Sequence, residues 1–211
     1  MCGRYITPAE GDLERHWDLT PNEAYRQNFN TAPSQLAPVV RLGANGEPEL
    51  YSFHWGFQPS WAKRAWINAR SETAFDSKAF AAAAKKRRCL VPAIGWYEWQ
   101  GSKPPKQPWC FHLDGFLPFA FAGIWTARDT DNGPDMNFAI LTQAASDELA
   151  PIHNRMPVIV EPDNYMAWLS PDTDNPAQLI RPAASVVQTH KVSTLVNKPQ
   201  NNGPECIAPL A

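Results

Sequence analysis

The sequence has no long hydrophobic segment and no marked excess of charge of either sign. No apolar run is long enough to cross a bilayer, and no basic stretch followed by an apolar one marks a leader peptide. The 19 Lys and Arg residues and the 21 Asp and Glu residues give a formal net charge of -2, so the overall composition does not indicate nucleic-acid binding. These absences predict a cytoplasmic protein without a membrane partner, in which any phosphate contact depends on local clusters of Lys and Arg.

Cysteine is scarce and scattered. The four cysteines, Cys2, Cys89, Cys110 and Cys206, form no CxxC pair and no Cys/His spacing typical of zinc sites. In a reducing compartment such cysteines are most simply free thiols. We therefore expect no disulfide framework, no metal and no bound cofactor.

Internal repeats, low-complexity linkers and long helical patterns are also missing. The 21 prolines and the short apolar runs indicate many turns and broken strands. A length of 211 residues fits one domain, residues 1–211, that buries roughly 70% of its unfolded surface. The sequence predicts an α+β fold: a largely antiparallel, barrel-like β-sheet core with peripheral helices.

Local patterns predict the individual elements. Helices are expected over residues 8–19, over residues 71–88 with Ser71 as N-cap, and near residues 163–169 and 175–180. The Asn45-Gly46 pair predicts a hairpin between strands at residues 35–42 and 49–57. The remaining expected strands are short and rich in aromatic and β-branched residues, and they cover residues 89–100, 108–113, 117–127, 137–144 and 184–190.

A cysteine directly follows the initiator methionine, in the stretch "MCGRY". One interpretation is that Cys2 is an exposed residue at the start of an edge strand and has no function. The other is that removal of Met1 leaves Cys2 with a free α-amine and a thiol on adjacent carbons. Their ordinary pKa values, near ~8 and ~8.5, make both nucleophiles partly available at neutral pH. Such a pair condenses with an aldehyde to an imine and then closes to a thiazolidine, with Arg4 able to hold a nearby anion.

Two further stretches carry more polar groups than their apolar surroundings require. In "WINARSE", Asn68 can orient an amine or a sugar hydroxyl and Arg70 offers a fork that fits phosphate, although a helix-entry loop would explain both residues equally well. In "GWYEW", strand alternation places Glu98 on the same face as Trp96, among aromatic rings. Partial desolvation there favours the protonated carboxyl and therefore a general acid or base near neutral pH.

The stretch "PIHNRMP" places His153 and Arg155 two residues apart in a turn bounded by prolines. His153 is a candidate for proton transfer. The other histidines are interpreted as structural, and these are His16, His54, His112 and His190. The basic run "KKRR" at residues 85–88 is interpreted as a helix C-terminus, where cations meet the negative end of the helix dipole.

The combination of these blocks resembles one known family. "MCGRY", "NTAP", "WGF…W", "NAR" followed by "SE", "GWYEW", "HNRMP" and a late "VN" occur in the order found in the SOS response-associated peptidase (SRAP), or abasic-site processing, family. The resemblance extends from Cys2 to about Asn197. The "PQNNG" that follows differs from the family's usual run and receives no role.

The resemblance implies the SRAP fold and a monomer that recognises abasic sites in single-stranded DNA. It implies that such a protein crosslinks to the lesion as a thiazolidine and shields it during the DNA damage response, associated with the nucleoid. A lyase side reaction and a thiol autopeptidase that removes Met1 are also implied. The implied catalytic residues are Cys2, Asn68, Glu98 and His153; the implied DNA-binding residues are Arg4, Arg70, Arg155, Trp96 and Thr142.

Three alternatives remain open from the sequence. The first is a thiol peptidase with an N-terminal nucleophile, in which the free amine serves as its own base. The second is a single-strand binding module that forms no covalent adduct. The third is a structural protein in which Cys2 has no chemical role.

Overall fold

The computed structural model describes residues 2–20, 25–181 and 186–210. Within these ranges, no helix is both long and apolar enough to cross a membrane. The strands are β1 (Tyr5–Ile6), β2 (Leu36–Leu42), β3 (Pro48–Trp55), β4 (Asn68–Arg70), β5 (Arg88–Ala93), β6 (Gly95–Gln100), β7 (Gln107–His112), β8 (Phe119–Thr130), β9 (Gly133–Ala144), β10 (Arg155–Pro157), β11 (Ile159–Val160) and β12 (Gln188–Lys191). The helices are α1 (Glu10–Trp17), α2 (Ser71–Ala74), α3 (Ala81–Lys86) and α4 (Tyr165–Leu169).

The larger sheet closes into a barrel. Strand β9 pairs with both β3 and β8, and the order β3-β2-β5-β8 completes a ring of five strands. Most of its pairings are antiparallel, whereas β9 pairs in parallel with β3 and with β4. The predicted α+β fold with a largely antiparallel, barrel-like core is therefore confirmed.

A second, antiparallel sheet of four strands has the order β1-β6-β7-β12. Tyr5 of β1 lies opposite Trp96 of β6, and the backbone N–H of Tyr97 donates to the carbonyl of Arg4 at 3.0 Å. The segment that carries Cys2 and Arg4 therefore runs beside the strand that carries Glu98.

Alternation along the barrel strands separates two apolar clusters. Residues such as Val39, Trp55 and Phe121 pack in one cluster, which also contains Cys2 and Trp96. Their neighbours on the opposite faces form the other cluster, which is covered by helices α1, α3 and α4. This is the period of two expected for strands that are buried on both faces.

The hairpin at Asn45-Gly46 is confirmed. Strands β2 and β3 pair in antiparallel register from Leu36 opposite His54 to Leu42 opposite Pro48. Gly46 in the turn has φ +81°, a conformation that glycine adopts without steric cost.

The single helix predicted over residues 71–88 is wrong. Only Ser71–Ala74 and Ala81–Lys86 are helical, and Arg70 rather than Ser71 holds the N-cap position of the first piece. Between them the backbone N–H of Ala79 donates to the Ser77 hydroxyl, and such local bonds compete with helix formation. The expected strand at residues 184–190 starts in a stretch that lies outside the described residues, and its remainder forms β12 from Gln188.

The run "KKRR" is the helix C-terminus that the sequence predicted. Lys85 and Lys86 lie in the last turn of α3. Arg88 is buried in β5, where its guanidinium donates to the carbonyl oxygens of Trp168 at 2.6 Å and Ala84 at 3.0 Å. This arginine therefore stabilises the contact between β5 and α4.

Candidate active site

Cys2 and Asn68 are joined through the Cys2 backbone. Asn68 lies at the start of β4, and its Nδ2 atom donates a hydrogen bond of 2.7 Å to the carbonyl oxygen of Cys2. The other amide atom, Oδ1, is buried and has no hydrogen-bond partner among the described residues. The Asn68 side chain thus fixes the Cys2 main chain and leaves one acceptor unused.

The Cys2 thiol is buried, contrary to the exposed position that its place in the sequence suggested. Its side chain has 0% exposure, and Sγ lies 3.9 Å from the carbonyl oxygen of Arg4. Burial raises the pKa of the Cys2 thiol well above its ordinary value, and the nearby Glu98 carboxylate raises it further. The thiol is therefore protonated at neutral pH in this arrangement.

Glu98 is a buried acid whose proton is retained up to neutral pH. Its side chain is only 3% exposed, and desolvation raises the pKa of the carboxyl to about 7. Strand alternation predicted this burial: Trp96 belongs to the cluster with Cys2, whereas Tyr97 packs in a separate cluster on the other face. Glu98 therefore has the protonation behaviour expected of a general acid or base.

His153 faces Glu98 from a loop that precedes β10. Nε2 of His153 lies 3.8 Å from Oε2 of Glu98, and burial lowers the pKa of the ring. Nδ1 lies 3.0 Å from the carbonyl oxygen and 3.1 Å from the backbone nitrogen of Arg155. In either tautomer, the Arg155 backbone holds the ring with Nε2 toward Glu98.

Gln100 connects the Glu98 strand to the His153 loop, and sequence reasoning missed it. Its Nε2 donates to the carbonyl oxygen of Pro151 at 3.0 Å, while Nε1 of Trp109 donates to its Oε1 at 3.0 Å. Trp109 lies directly opposite Glu98 on β7. The signal available in the sequence was the spacing of two from Glu98, which places Gln100 on the same side of the strand.

Arg4 already has partners within the protein. Its Nη1 donates to Oδ1 of Asn30 at 2.9 Å and to the carbonyl oxygen of Val196 at 2.8 Å. Its guanidinium also lies 5.8 Å from the centre of the Trp99 ring. A phosphate would therefore meet an arginine whose position is fixed by its contacts with Asn30, Val196 and Trp99.

The other two arginines differ in their freedom. Arg155 forms a double ion pair with Glu72, whereas Arg70 is exposed and forms no hydrogen bond or ion pair with any described residue. Of the three arginines predicted to contact phosphate, Arg70 is the one whose guanidinium has no hydrogen-bond or ion-pair partner among the described residues.

Trp96 and Thr142, two of the predicted DNA-binding residues, are buried. Both have 0% exposure, so neither presents a surface to DNA in this conformation. Trp96 stacks on Phe111 in the core, and Thr142 accepts a bond of 2.6 Å from Arg155 through its backbone carbonyl. Trp99, which packs with Tyr97 on the other face of β6, is partly exposed, and its Nε1 donates to Oδ1 of Asn197 at 2.7 Å.

An aromatic and basic surface lies in the stretch "HWGFQPSW" and the residues after it. Trp61 is 64% exposed, and its ring centre is 5.9 Å from that of Trp66. Lys63 and Arg64, between these two rings in sequence, are also exposed. An exposed indole beside cations is suited to stacking on bases of an unpaired strand.

The histidines interpreted as structural have contacts internal to the fold. Nδ1 of His54 lies 2.7 Å from Oδ1 of Asp135, and Nε2 of His112 lies 3.2 Å from Nδ1 of His190. The ring of His16 lies 4.3 Å from that of Trp17.

Comparisons with known proteins give a consistent result. A family model described as "SOS response associated peptidase (SRAP)" matches residues 1–199. The chain is 34% identical over 223 residues to the abasic site processing protein YoqW of Bacillus subtilis, an alignment that covers 98% of this chain and 99% of that protein. It is 29% identical to the abasic site processing protein YedK of Escherichia coli, with 100% of both chains covered. A crystal structure of a protein from Bacteroides thetaiotaomicron shares the fold, with a TM-score of 0.86 and 21% identity over 100% of both chains.

Proposed function

The chain belongs to the SOS response-associated peptidase family, and from this membership and the site geometry we propose that it captures abasic sites in single-stranded DNA as a covalent thiazolidine on Cys2. The names of its relatives support abasic-site processing. The observation that carries the proposal is the convergence of Cys2, Asn68, Glu98 and His153 from four distant segments.

The proposal requires a free α-amine on Cys2, so Met1, which lies outside the described residues, must be removed. The hydrogen bond from Asn68 to the Cys2 carbonyl supports Cys2 as the reacting residue, because it would hold the new chain end in place. The buried Oδ1 of Asn68 is an acceptor that an amine N–H of Cys2 would satisfy.

The first chemical step opens the deoxyribose ring of the lesion to its aldehyde. A protonated Glu98 supplies a proton to the ring oxygen while His153 accepts the proton of the hemiacetal hydroxyl. The raised pKa of Glu98, the lowered pKa of His153 and their separation of 3.8 Å support this division of roles.

The second step joins the sugar to Cys2. The amine of Cys2 adds to the aldehyde and water leaves, which gives an imine. The Cys2 sulfur then bonds to the imine carbon, and the thiol proton passes to the imine nitrogen by way of the Glu98 carboxylate. The product is a thiazolidine plus one water, and the held geometry supplies most of the acceleration.

Ring closure protects the strand. An imine acidifies the adjacent sugar carbon and permits β-elimination, which is the lyase side reaction of this scheme. Closure to the thiazolidine removes the imine and shields the lesion from breakage. Protonation of the ring sulfur by Glu98 would reverse the linkage.

DNA binding uses phosphate contacts and stacking rather than base-edge recognition. The exposed Arg70 guanidinium, the exposed ring of Trp61 and the partly exposed ring of Trp99 support an unpaired strand as the ligand. In a duplex each base is stacked between its neighbours, which covers the base faces that these rings would stack on.

Intact mass spectrometry of the protein, before and after incubation with an abasic single-stranded oligonucleotide, tests the proposal. We expect a chain that starts at Cys2 and a product equal to protein plus oligonucleotide minus one water. Cys2→Ser, which lacks the thiol, is expected to form no stable adduct. Turnover of an added peptide without any DNA adduct would instead indicate the peptidase alternative.

The same spectra test the autopeptidase activity that the family description suggests. If the site itself releases Met1, Glu98→Gln is expected to retain Met1 under conditions where the wild-type chain loses it. Loss of Met1 from both proteins would assign its removal to a separate aminopeptidase.

A further inference from the structure

The guanidinium of Arg155, one of the predicted DNA-binding residues, is paired with an acidic side chain. Its Nη1 lies 2.5 Å from Oε1 of Glu72, and its Nη2 lies 2.9 Å from Oε2, so the guanidinium fork holds both carboxylate oxygens. Nη2 also donates to the carbonyl oxygen of Thr142 at 2.6 Å. The Arg155 side chain is 14% exposed, whereas that of Glu72 is 48% exposed.

This arrangement is the one that an arginine also makes with a phosphate. A guanidinium presents two parallel N–H groups to a carboxylate or to a phosphate, and one fork cannot serve both. Because Glu72 covers the fork from the solvent side while Thr142 holds it from within, a phosphate must replace the Glu72 carboxylate. The hydrogen bonds from Arg155 lower the pKa of Glu72 to about 2, so the carboxylate stays charged at physiological pH.

Glu72 is also close in sequence to Arg70, the exposed arginine. It lies in the first turn of α2, two residues after Arg70. The segment 70–72 thus carries an exposed arginine, Arg70, and a glutamate, Glu72, that pairs with a second arginine, Arg155. A strand that binds through Arg70 arrives next to the Glu72–Arg155 pair.

We propose that Glu72 is an internal phosphate mimic that a DNA phosphate must displace, and that it thereby sets the affinity of the protein for single strands. This inference rests on the proposed function, because it assumes a DNA ligand at this face. Glu72 swings away when the strand binds, and Arg155 exchanges one anion for another without losing its bond to Thr142. Removing the Glu72 charge frees Arg155 and strengthens binding.

Fluorescence anisotropy with an intact single-stranded oligonucleotide tests this, in a Cys2→Ser background in which no covalent adduct can form. Glu72→Gln is expected to bind about threefold to tenfold more tightly, with a log–log salt slope steeper by about 0.7 for one added phosphate contact. Glu47→Gln is the matched control, since it makes the same charge change at an exposed position in the hairpin turn. It is expected to change affinity less than about twofold.

A double-mutant cycle separates the proposed exchange from a general gain of positive charge. In an Arg155→Met background, Glu72→Gln is expected to have no more effect than Glu47→Gln. Arg155→Gln, which also removes the charge and the fork, serves as a second background in case the methionine variant folds poorly.

Two results would overturn the inference. Weaker binding by Glu72→Gln would show that Glu72 positions Arg155 for DNA, and an equal gain in the Arg155→Met background would show a nonspecific charge effect. Failure of the proposed function is distinguishable, because it appears as the absence of an adduct between the unmutated protein and an abasic strand, whatever Glu72→Gln does.

Discussion

Nε2 of His153 lies 3.8 Å from Oε2 of Glu98, so a base of lowered pKa stands beside an acid of raised pKa. Burial causes both shifts, because each group loses the water that would solvate its charged form. Just below pH 7 the pair therefore consists of a Glu98 carboxyl that is mostly protonated and a neutral imidazole. That is the combination that can give a proton at one point and accept one at another.

The rate of adduct formation should fall above about pH 7, because Glu98 with a pKa of about 7 must be protonated to donate. At lower pH the rate should fall again as the Cys2 amine is protonated. Glu98→Gln is expected to be about 100-fold to 1,000-fold slower and to lack the alkaline decline. Denaturing gels of adduct formed between pH 5.5 and 8.5 measure this, and an alkaline decline that persists in Glu98→Gln would contradict the assignment.

Glu98 should also make the stability of the fold depend on pH. Its pKa in the fold, about 7, is higher than the ordinary 4.5, so its favourable contribution is complete below pH 4.5 and is lost as the pH rises to 7. Relative to the wild type, Glu98→Gln should gain up to about 3 kcal/mol in free energy of unfolding between pH 4.5 and 8. Urea unfolding of both proteins at pH 4.5 and at pH 8 measures the gain. A difference in unfolding free energy between Glu98→Gln and the wild type that is the same at both pH values would argue against a buried acid.

Asn68→Ala should slow adduct formation about tenfold to 100-fold, because the Cys2 carbonyl loses its 2.7 Å hydrogen bond and the reacting group shifts. Single-turnover rates with an abasic oligonucleotide measure the effect. Asn132→Ala, in an exposed turn, is the matched control and is expected to react at the wild-type rate. Equal rates for both variants would remove Asn68 from the site.

Arg70→Gln should weaken binding to all single-stranded sequences to a similar extent, about threefold to tenfold, and flatten the salt slope by about 0.7. The reason is that Arg70 is exposed and forms no hydrogen bond or ion pair with any described residue, so its loss removes one phosphate contact and breaks no such bond. Lys85→Gln makes the same charge change in α3 and is expected to have little effect. A loss confined to one oligonucleotide sequence would indicate base recognition instead.

Gln100→Leu should slow adduct formation about tenfold while leaving affinity for an intact strand unchanged, because both hydrogen bonds of the Gln100 side chain hold parts of the fold, Pro151 and Trp109. A general loss of structure would lower the affinity as well. Gln188→Leu, at an exposed position of β12, is the control for replacing a strand glutamine. If both variants keep the full rate, Gln100 has no positioning role.

The parts of the site that depend on local alternation could be predicted from the sequence. In "GWYEW" the period of two placed Trp96 and Glu98 on one face, and the burial and raised pKa of Glu98 followed from that placement. The hairpin at Asn45-Gly46 had an equally local cause, since the turn requires a residue that tolerates positive φ.

The parts that depend on distant contacts could not be predicted. Glu72 and Arg155 are 83 positions apart, and nothing local to either residue indicates that they meet. Alternation places Trp96 and Trp99 on opposite faces of β6, but only the packing of the fold decides that the Trp96 face is buried and that Trp99 is partly exposed. The alanine-rich stretch after Ser71 predicted one helix from propensity, which the Ser77 turn overrode.

The two sheets supply different halves of the constellation: Glu98 comes from the four-stranded sheet, and Asn68 from a strand attached to the barrel. Until both sheets have docked, Cys2 of a newly made or partly unfolded chain lies beside neither Glu98 nor Asn68. Under the proposed mechanism, reactivity toward aldehydes is therefore confined to completely folded molecules.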